Sequence, residues 1–426
     1  MEYFREELLP YVSLTALHTD KFKTGCLSAT LLAQLKRDSA AENAVLPYVL
    51  RRGTNSLPDL RALTARLDEL YGAALEPAVR KRGEIQCIGF FSAFCEDRFL
   101  PGNPGMTDEM AKLLSEVLLS PRTRGGLLLP DYVSGERDKL IERIDAVKND
   151  KWRYAARRLL ETMCACEDYG VSAMGDRDEA ESLHYVGLSK NYKNLLATAP
   201  IEFFYCGGED PENVADTLRT SLLCLSRGEV DDELGTDIRM NALEAQPRYV
   251  TEELDVAQGN LALGFRLGKC MEDPDPAALR VFNAVYGGSV TSKLFTNVRE
   301  KLSLCYDASS SVDIFKGILA VSSGIAFEKY DEALAEILTQ LDAVREGNIT
   351  ADELSGAKKS VAGRLRILAD SPQALEDFYL SQTMLGLDYG PMELAELVED
   401  VTADEVAAIA QGVELDTVYF LKGEDA

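Results

Sequence analysis

The sequence predicts a duplicated α+β protein, on three observations. Its 426 residues exceed the roughly 150 that one hydrophobic core usually organises, so two or three domains are expected. Runs with the two-residue period of strands interleave with long runs at helical spacing. The order of those runs then restarts past the midpoint, as an internal repeat does.

In chain order, residues 15–35 read as paired strands, with Lys21-Phe22-Lys23-Thr24-Gly25 as a charged, turn-like entry. Helical spacing follows over 40–52, stopped by Gly53, and over 57–71, with Pro58 in its first turn and Gly72 at its end. Strands are predicted at 74–81 and 84–94 around Arg82-Gly83, then amphipathic helices at 106–119, 134–150 and 152–167. A buried strand at 201–205 and a helix at 211–225 close the first half. Residues 227–243 lack apolar periodicity and contain Gly228 and Gly235 among acidic residues, which makes them the linker. Beyond it come strands at 249–253 and 261–267, helices at 274–286 and 292–302, strands at 305–312 and 318–325, three helical segments and a last strand at 417–422. Residues 63–94 and 294–325 share one pattern: helix, Tyr71 or Tyr306, strand, Gly83 or Gly317, strand. The predicted division is therefore an N-terminal domain 1–226, the linker 227–243 and a C-terminal domain 244–426.

Composition narrows the function. A formal net charge of −26 argues against nucleic acid or an anionic membrane as a partner. No run approaches the roughly 18 consecutive apolar residues of a membrane helix, and the N-terminus has neither the basic nor the apolar region of a signal peptide. Nine scattered cysteines, an odd number, fit reduced thiols and a cytoplasmic location better than a disulfide framework. Cys164-Ala165-Cys166 is too closely spaced for the usual paired zinc ligands, which leaves two packed thiols. Only two histidines exist, His18 and His184, and neither has a Glu-His or His-Glu companion at helical spacing. A self-contained histidine-ligated zinc hydrolase is thereby disfavoured, and so is a Ser-His-Asp enzyme. Arg51-Arg52 and the group Arg153, Arg157, Arg158 read as solvated helix faces. Gly207-Gly208 reads as a strand-to-helix turn because no Lys-Ser/Thr follows.

Five fragments in order carry a family resemblance: Lys21-Phe22-Lys23-Thr24; Arg52-Gly53-Thr54; Leu67-Asp68-Glu69-Leu70-Tyr71-Gly72-Ala73; Thr291-Ser292-Lys293-Leu294-Phe295; and Val298-Arg299-Glu300-Lys301-Leu302-Ser303-Leu304-Cys305-Tyr306. Together they resemble the insulinase/pitrilysin metallopeptidases, over nearly the whole chain. The resemblance implies two homologous mitochondrial-processing-peptidase-like halves, each an antiparallel-rich sheet with helices packed on one face.

In active members the helix before Gly-Thr carries H-x-x-E-H, in which two histidines one turn apart bind zinc and the glutamate is the general base. The same register falls here on Ala44-Val45-Leu46-Pro47-Tyr48. Ala44 has no ligand atom, Pro47 cannot take a proton, and the Tyr48 phenol is a poor zinc ligand at neutral pH. Pro47 also removes a hydrogen bond inside the helix, at a cost of about 3 kcal/mol unless the helix kinks. The family's third ligand, seven positions after another functional glutamate, falls on Arg143, with Glu136 at the first position. A guanidinium presents only donors and puts a fixed positive charge where the metal normally lies. No metal and no cofactor are expected.

In two-chain members the zinc-bearing subunit is partnered by a zinc-free homologue, which contributes an Arg and a Tyr to substrate binding and to the tetrahedral intermediate. Arg299 and Tyr306 match those positions, and both side chains can donate to a carbonyl oxygen gaining charge. The resemblance thus implies a catalytically inactive subunit with two partners: a homologous zinc-bearing chain and a peptide substrate. It further suggests, through the Gram-positive zinc-free members, a link to modification of elongation factor P. The alternative is a non-proteolytic structural or peptide-binding homodimer.

Overall fold

The computed structural model describes residues 1–272 and 274–423. Two compact units emerge, each built around one sheet.

The first unit holds a six-stranded sheet made from β1 (Glu2–Leu9), β2 (Val12–His18), β3 (Thr24–Gln34), β4 (Ala74–Arg82) and β5 (Ile85–Cys95), and after the short pair β6 (Thr123–Arg124) and β7 (Leu127–Leu128), from β8 (Ile201–Gly207). Its order is β1-β2-β8-β3-β5-β4. The second unit holds β9 (Arg248–Leu254), β10 (Gly259–Arg266), β11 (Cys305–Asp313), β12 (Ile318–Ile325) and β13 (Glu414–Gly423), in the order β11-β12-β10-β13-β9. Strand for strand, β2-β8-β3-β5-β4 and β9-β13-β10-β12-β11 are the same sheet. In each, one parallel pair (β2 with β8, β9 with β13) is followed by antiparallel neighbours only. The α+β expectation and the two similar halves hold.

Helices α1 (Ala40–Leu50), α2 (Leu60–Glu69), α3 (Met106–Leu119) and α4 (Pro130–Ala146) begin the helical layer of the first unit. Alternation along β3 explains the packing. Leu27, Ala29 and Leu31 join Ile88 and Phe90 of β5, Val45 and Val49 of α1, and Met110 and Leu114 of α3 in one buried core. The intervening Ser28 and Leu32 face the other way, toward a helix from much later in the chain.

The compact units cross the expected linear boundaries at two places. The next helix, α5 (Lys151–Met163), belongs to the second unit, and residues 371–387 belong to the first. Helix α5 packs Tyr154, Ala155 and Leu159 against Ala262 of β10 and Tyr419 and Leu421 of β13. The approach is close: a Cβ on Gly264 would lie 2.5 Å from Met163 Sδ. The first unit continues with α6 (Arg177–Ser182), α7 (Tyr185–Thr198) and α8 (Pro211–Ser221), the second with α9 (Pro276–Tyr286), a π-helical turn at Leu294–Lys301, α10 (Tyr330–Arg345) and α11 (Ala351–Leu368). Helix α12 (Pro372–Leu385) then lies on the second face of the first unit's sheet. There Leu380 packs with Leu32, Ile85 and Cys87. The buried Glu376 accepts from Arg80 at 2.6 Å and from Ser28 at 3.3 Å. Each sheet therefore carries the expected helical layer on one face and one further helix on the other. Helices α13 (Pro391–Asp400) and α14 (Ala403–Gly412) complete the second unit.

Several local expectations change. Strand β1 was not predicted, because Glu2, Arg5, Glu6 and Glu7 interrupt its apolar residues; as an edge strand it needs little apolar content. Pro58 precedes α2 instead of entering it, and Asp59 is the cap, its Oδ1 accepting from Ala62 N at 2.8 Å. The last stretch has five helices where three were predicted. No strand or helix occupies residues 225–247. No helix among the described residues is long and apolar enough to cross a membrane.

Candidate functional site

Two places hold the singled-out residues, one in each unit. In the first, α1 presents Ala44, Pro47 and Tyr48. Ala44 is completely buried in the core, where its methyl group packs as any core alanine does. Pro47 is buried within the helix, which continues for one more turn, Arg51 N donating to Pro47 O at 3.1 Å. Tyr48 is half-buried, and the Arg143 guanidinium of α4 stacks on its ring, 3.8 Å from the centroid. Two of the four substituted positions are thus in direct contact, as cation and aromatic face.

Seven residues before Arg143 on the same face of α4 lies Glu136, only 4 % exposed. Its carboxylate accepts from Lys139 at 2.8 Å and from Arg52 at 3.0 Å, and Arg143 Nη2 stands 3.9 Å away. Arg52 in turn covers the Tyr132 ring. A buried carboxylate ringed by three cations needs no metal to offset its charge. The donor set does not fit zinc: no imidazole is among these residues, and guanidiniums cover the rings of both phenols, Tyr48 and Tyr132. Among the described residues no group of three or more His, Cys, Asp or Glu is arranged to hold a metal ion. His184 caps α7, its Nδ1 accepting from Gly187 N at 3.3 Å, and His18 closes β2 with Nδ1 3.9 Å from Glu2.

Sequence reasoning missed Glu179. Its Oε1 accepts from Ala41 N at 2.7 Å, at the start of α1, while Oε2 is buried with no hydrogen bond. Burial pushes this carboxyl up to about 7, against which the Ala41 N–H only partly acts. Its signal in the sequence is the Asp176-Arg177-Asp178-Glu179 stretch, whose Asp176 caps α6 by accepting from Glu179 N at 3.1 Å. Glu42, also on α1, is raised by burial as well, with His184 opposing.

The second place has the opposite character. The segment predicted as an ordinary helix at 292–302 is π-helical over Leu294–Lys301, with Arg299 in its last turn. The Arg299 guanidinium lies over Phe295, 4.6 Å from the ring centroid, and its Nε is 3.6 Å from Glu300. Ser303 follows at φ 49°, a left-handed conformation that turns the chain into β11. In the pairing of β11 with β12, Cys305 faces Ile325 and Asp307 faces Gly324, so Tyr306 is the extra residue of a bulge on an edge strand. A bulge re-aims a side chain out of the ladder. Tyr306 is accordingly 74 % exposed, and its hydroxyl makes no hydrogen bond among the described residues. Arg299 and Tyr306 line one open depression of about 480 Å³, with Glu300, Leu304, Glu328 and Lys329 among its other walls.

The features set aside at the outset stay structural. Gly208 N donates to Glu96 at 3.1 Å, so a carboxylate already occupies the place a phosphate would take. Arg153, Arg157 and Arg158 each pair with a carboxylate.

The duplicated α+β fold, with no histidine on α1, defines a class that the comparisons with known proteins identify. Residues 187–361 match the family model described as the peptidase M16 inactive domain. A relative from Bacillus subtilis strain 168, "Probable inactive metalloprotease YmfF", is 32 % identical over 100 % of this chain and 99 % of its own length. A solved structure described as a conserved protein from Enterococcus faecalis V583 is 25 % identical, with a TM-score of 0.89 over 100 % of this chain and 99 % of that one. The peptidase M16 inactive domain from Pseudomonas fluorescens shares the fold at 14 % identity, with a TM-score of 0.80 over 99 % of this chain and 98 % of that one. The chain belongs to the M16, or insulinase/pitrilysin, peptidase family, as a member of the inactive type.

Proposed function

We propose that this chain is the zinc-free subunit of a two-chain peptidase, pairing with a zinc-bearing homologue and supplying Arg299 and Tyr306 to hold the peptide and the developing oxyanion. The observation that carries the reading is the bulged Tyr306, an exposed phenol without a hydrogen-bond partner, lining one depression with Arg299. A structural tyrosine normally buries its ring and pairs its hydroxyl. Here both are left available, beside a guanidinium whose nearest carboxylate is the adjacent Glu300 at 3.6 Å. A phenol and a guanidinium donate to an oxyanion without needing a metal in their own chain. The zinc, the attacking water and the general base would all come from the partner. A cytoplasmic location fits the nine cysteines, all free thiols.

The test is assembly. Light scattering on this chain, on the zinc-bearing homologue and on their mixture is expected to give a one-to-one complex, with peptide hydrolysis exceeding that of either chain alone. A stable homodimer that ignores the homologue, with no gain in hydrolysis, would return the chain to the structural or peptide-binding alternative.

A further inference from the structure

A hollow of about 270 Å³ opens in the second unit between α9, the end of β11 and α11. Most of its wall is apolar, from Leu279 on α9, Val312 and Ile314 at the end of β11, and Leu365 on α11. Two arginines share that wall, Arg280 and Arg364. Arg280 donates to Pro276 O at 2.9 Å and Arg364 to Gly288 O at 3.0 Å, both of them neutral carbonyls. Among the described residues neither has a carboxylate within ion-pair distance, although the chain carries 71 acidic residues against 45 basic ones. Burial without a counter-ion lowers the Arg280 pKa below the ordinary arginine value. Arg364 is an exposed residue, and no nitrogen of the half-buried Arg280 is sealed off without a partner, so both guanidiniums can meet an incoming group.

Two uncompensated guanidiniums at an apolar hollow make a site selective for an anion with an apolar body. The geometry points to a binding site for an amphipathic carboxylate, its aliphatic part against Leu279, Val312, Ile314 and Leu365 and its carboxylate held by Arg280 and Arg364. A planar fork of N–H donors suits a carboxylate, and each methylene buried against the apolar wall adds to the affinity. A hollow of this size takes a medium-length alkyl chain or one to two aliphatic side chains. The same chemistry occurs in a free fatty acid and at the C-terminus of a peptide ending in leucine.

Calorimetry on the full chain tests it with four probes: octanoate, octanol, acetyl-Leu-Leu with a free carboxylate, and the same dipeptide as its amide. At least one acid is expected to bind, its neutral counterpart about tenfold or more weakly, as loss of a charge-assisted hydrogen bond requires. Binding of octanoate alone assigns a free carboxylate as ligand, and binding of the peptide acid alone assigns a chain terminus. Replacing Arg280→Gln and Arg364→Gln together is expected to abolish the preference for acid over neutral probe. Should that variant not fold, methyl resonances of Val312 and Ile314 in the unchanged chain are expected to shift on titration with the binding acid. The proposal is overturned if neither acid binds, if acid and neutral probes bind equally, or if those resonances stay fixed while others move.

Discussion

Glu136 and Tyr306 sit in corresponding halves of a duplicated fold and have been treated in opposite ways. Around Glu136 the buried carboxylate is matched by cations: Arg52 and Lys139 bond it, and Arg143, 3.9 Å away, stacks on Tyr48. Around Tyr306 the matching is sparse: Arg299 meets the Phe295 ring and, at 3.6 Å, Glu300. The backbone bulges, the phenol is exposed, and the depression stays open. Where a buried charge only supports the fold, it is held by opposite charges beside it; a donor kept for a ligand is expected to stand exposed and unbonded, as the Tyr306 hydroxyl does. The comparison therefore predicts that substitutions in the first place change stability, and those in the second change function.

The largest stability effect is expected at Glu136. Glu136→Ala removes charge-assisted hydrogen bonds and a packed side chain, and should cost about 2–3 kcal/mol in chemical denaturation. Next is Glu179, where pH supplies the test. Its carboxyl titrates near 7 in the folded state, above its value in the unfolded chain, so the folded state holds the proton longer. Stability contributed by the protonated form is present below the unfolded value and is lost as pH rises toward 7. Because the group is partly solvated, the loss is about 1–2 kcal/mol. Glu179→Gln keeps an acceptor for Ala41 N and removes the titration, so its stability relative to the parent chain should be greater at pH 8 than at pH 4.5. Equal differences at the two pH values would show that the carboxyl titrates normally. Arg143→Ala is expected to cost about 1 kcal/mol, the worth of a partly buried cation–π contact. Smallest of all, Tyr306→Phe should move the unfolding free energy by no more than about 0.5 kcal/mol, as an exposed position does.

Much of this was legible in the sequence, though unevenly. The helix ending before Gly53 and the strands around Gly83 and Gly317 follow from local spacing. The contact between Arg143 and Tyr48 was half visible: the charge was expected near the metal position, but not its seat on an aromatic ring from α1. The exchange of α5 and α12 was not legible. Amphipathic spacing says that Leu159 and Leu380 are buried, not which sheet buries them. Nor was the bulge at Tyr306, since an extra residue in one strand appears only against its partner, where Gly324 and Ile325 leave it unpaired. Glu179 escaped for a related reason, because its neighbour Ala41 is remote in sequence.

The central claim is that Arg299 and Tyr306 are donors kept for a substrate bound to an assembled pair, and peptide hydrolysis by that pair tests it most directly. With folding and assembly verified, Tyr306→Phe is expected to lower kcat about 100-fold with little change in KM, the loss typical of one oxyanion donor. Arg299→Ala should lower kcat/KM comparably. An unchanged rate in both variants, in a pair that still assembles, would contradict the account.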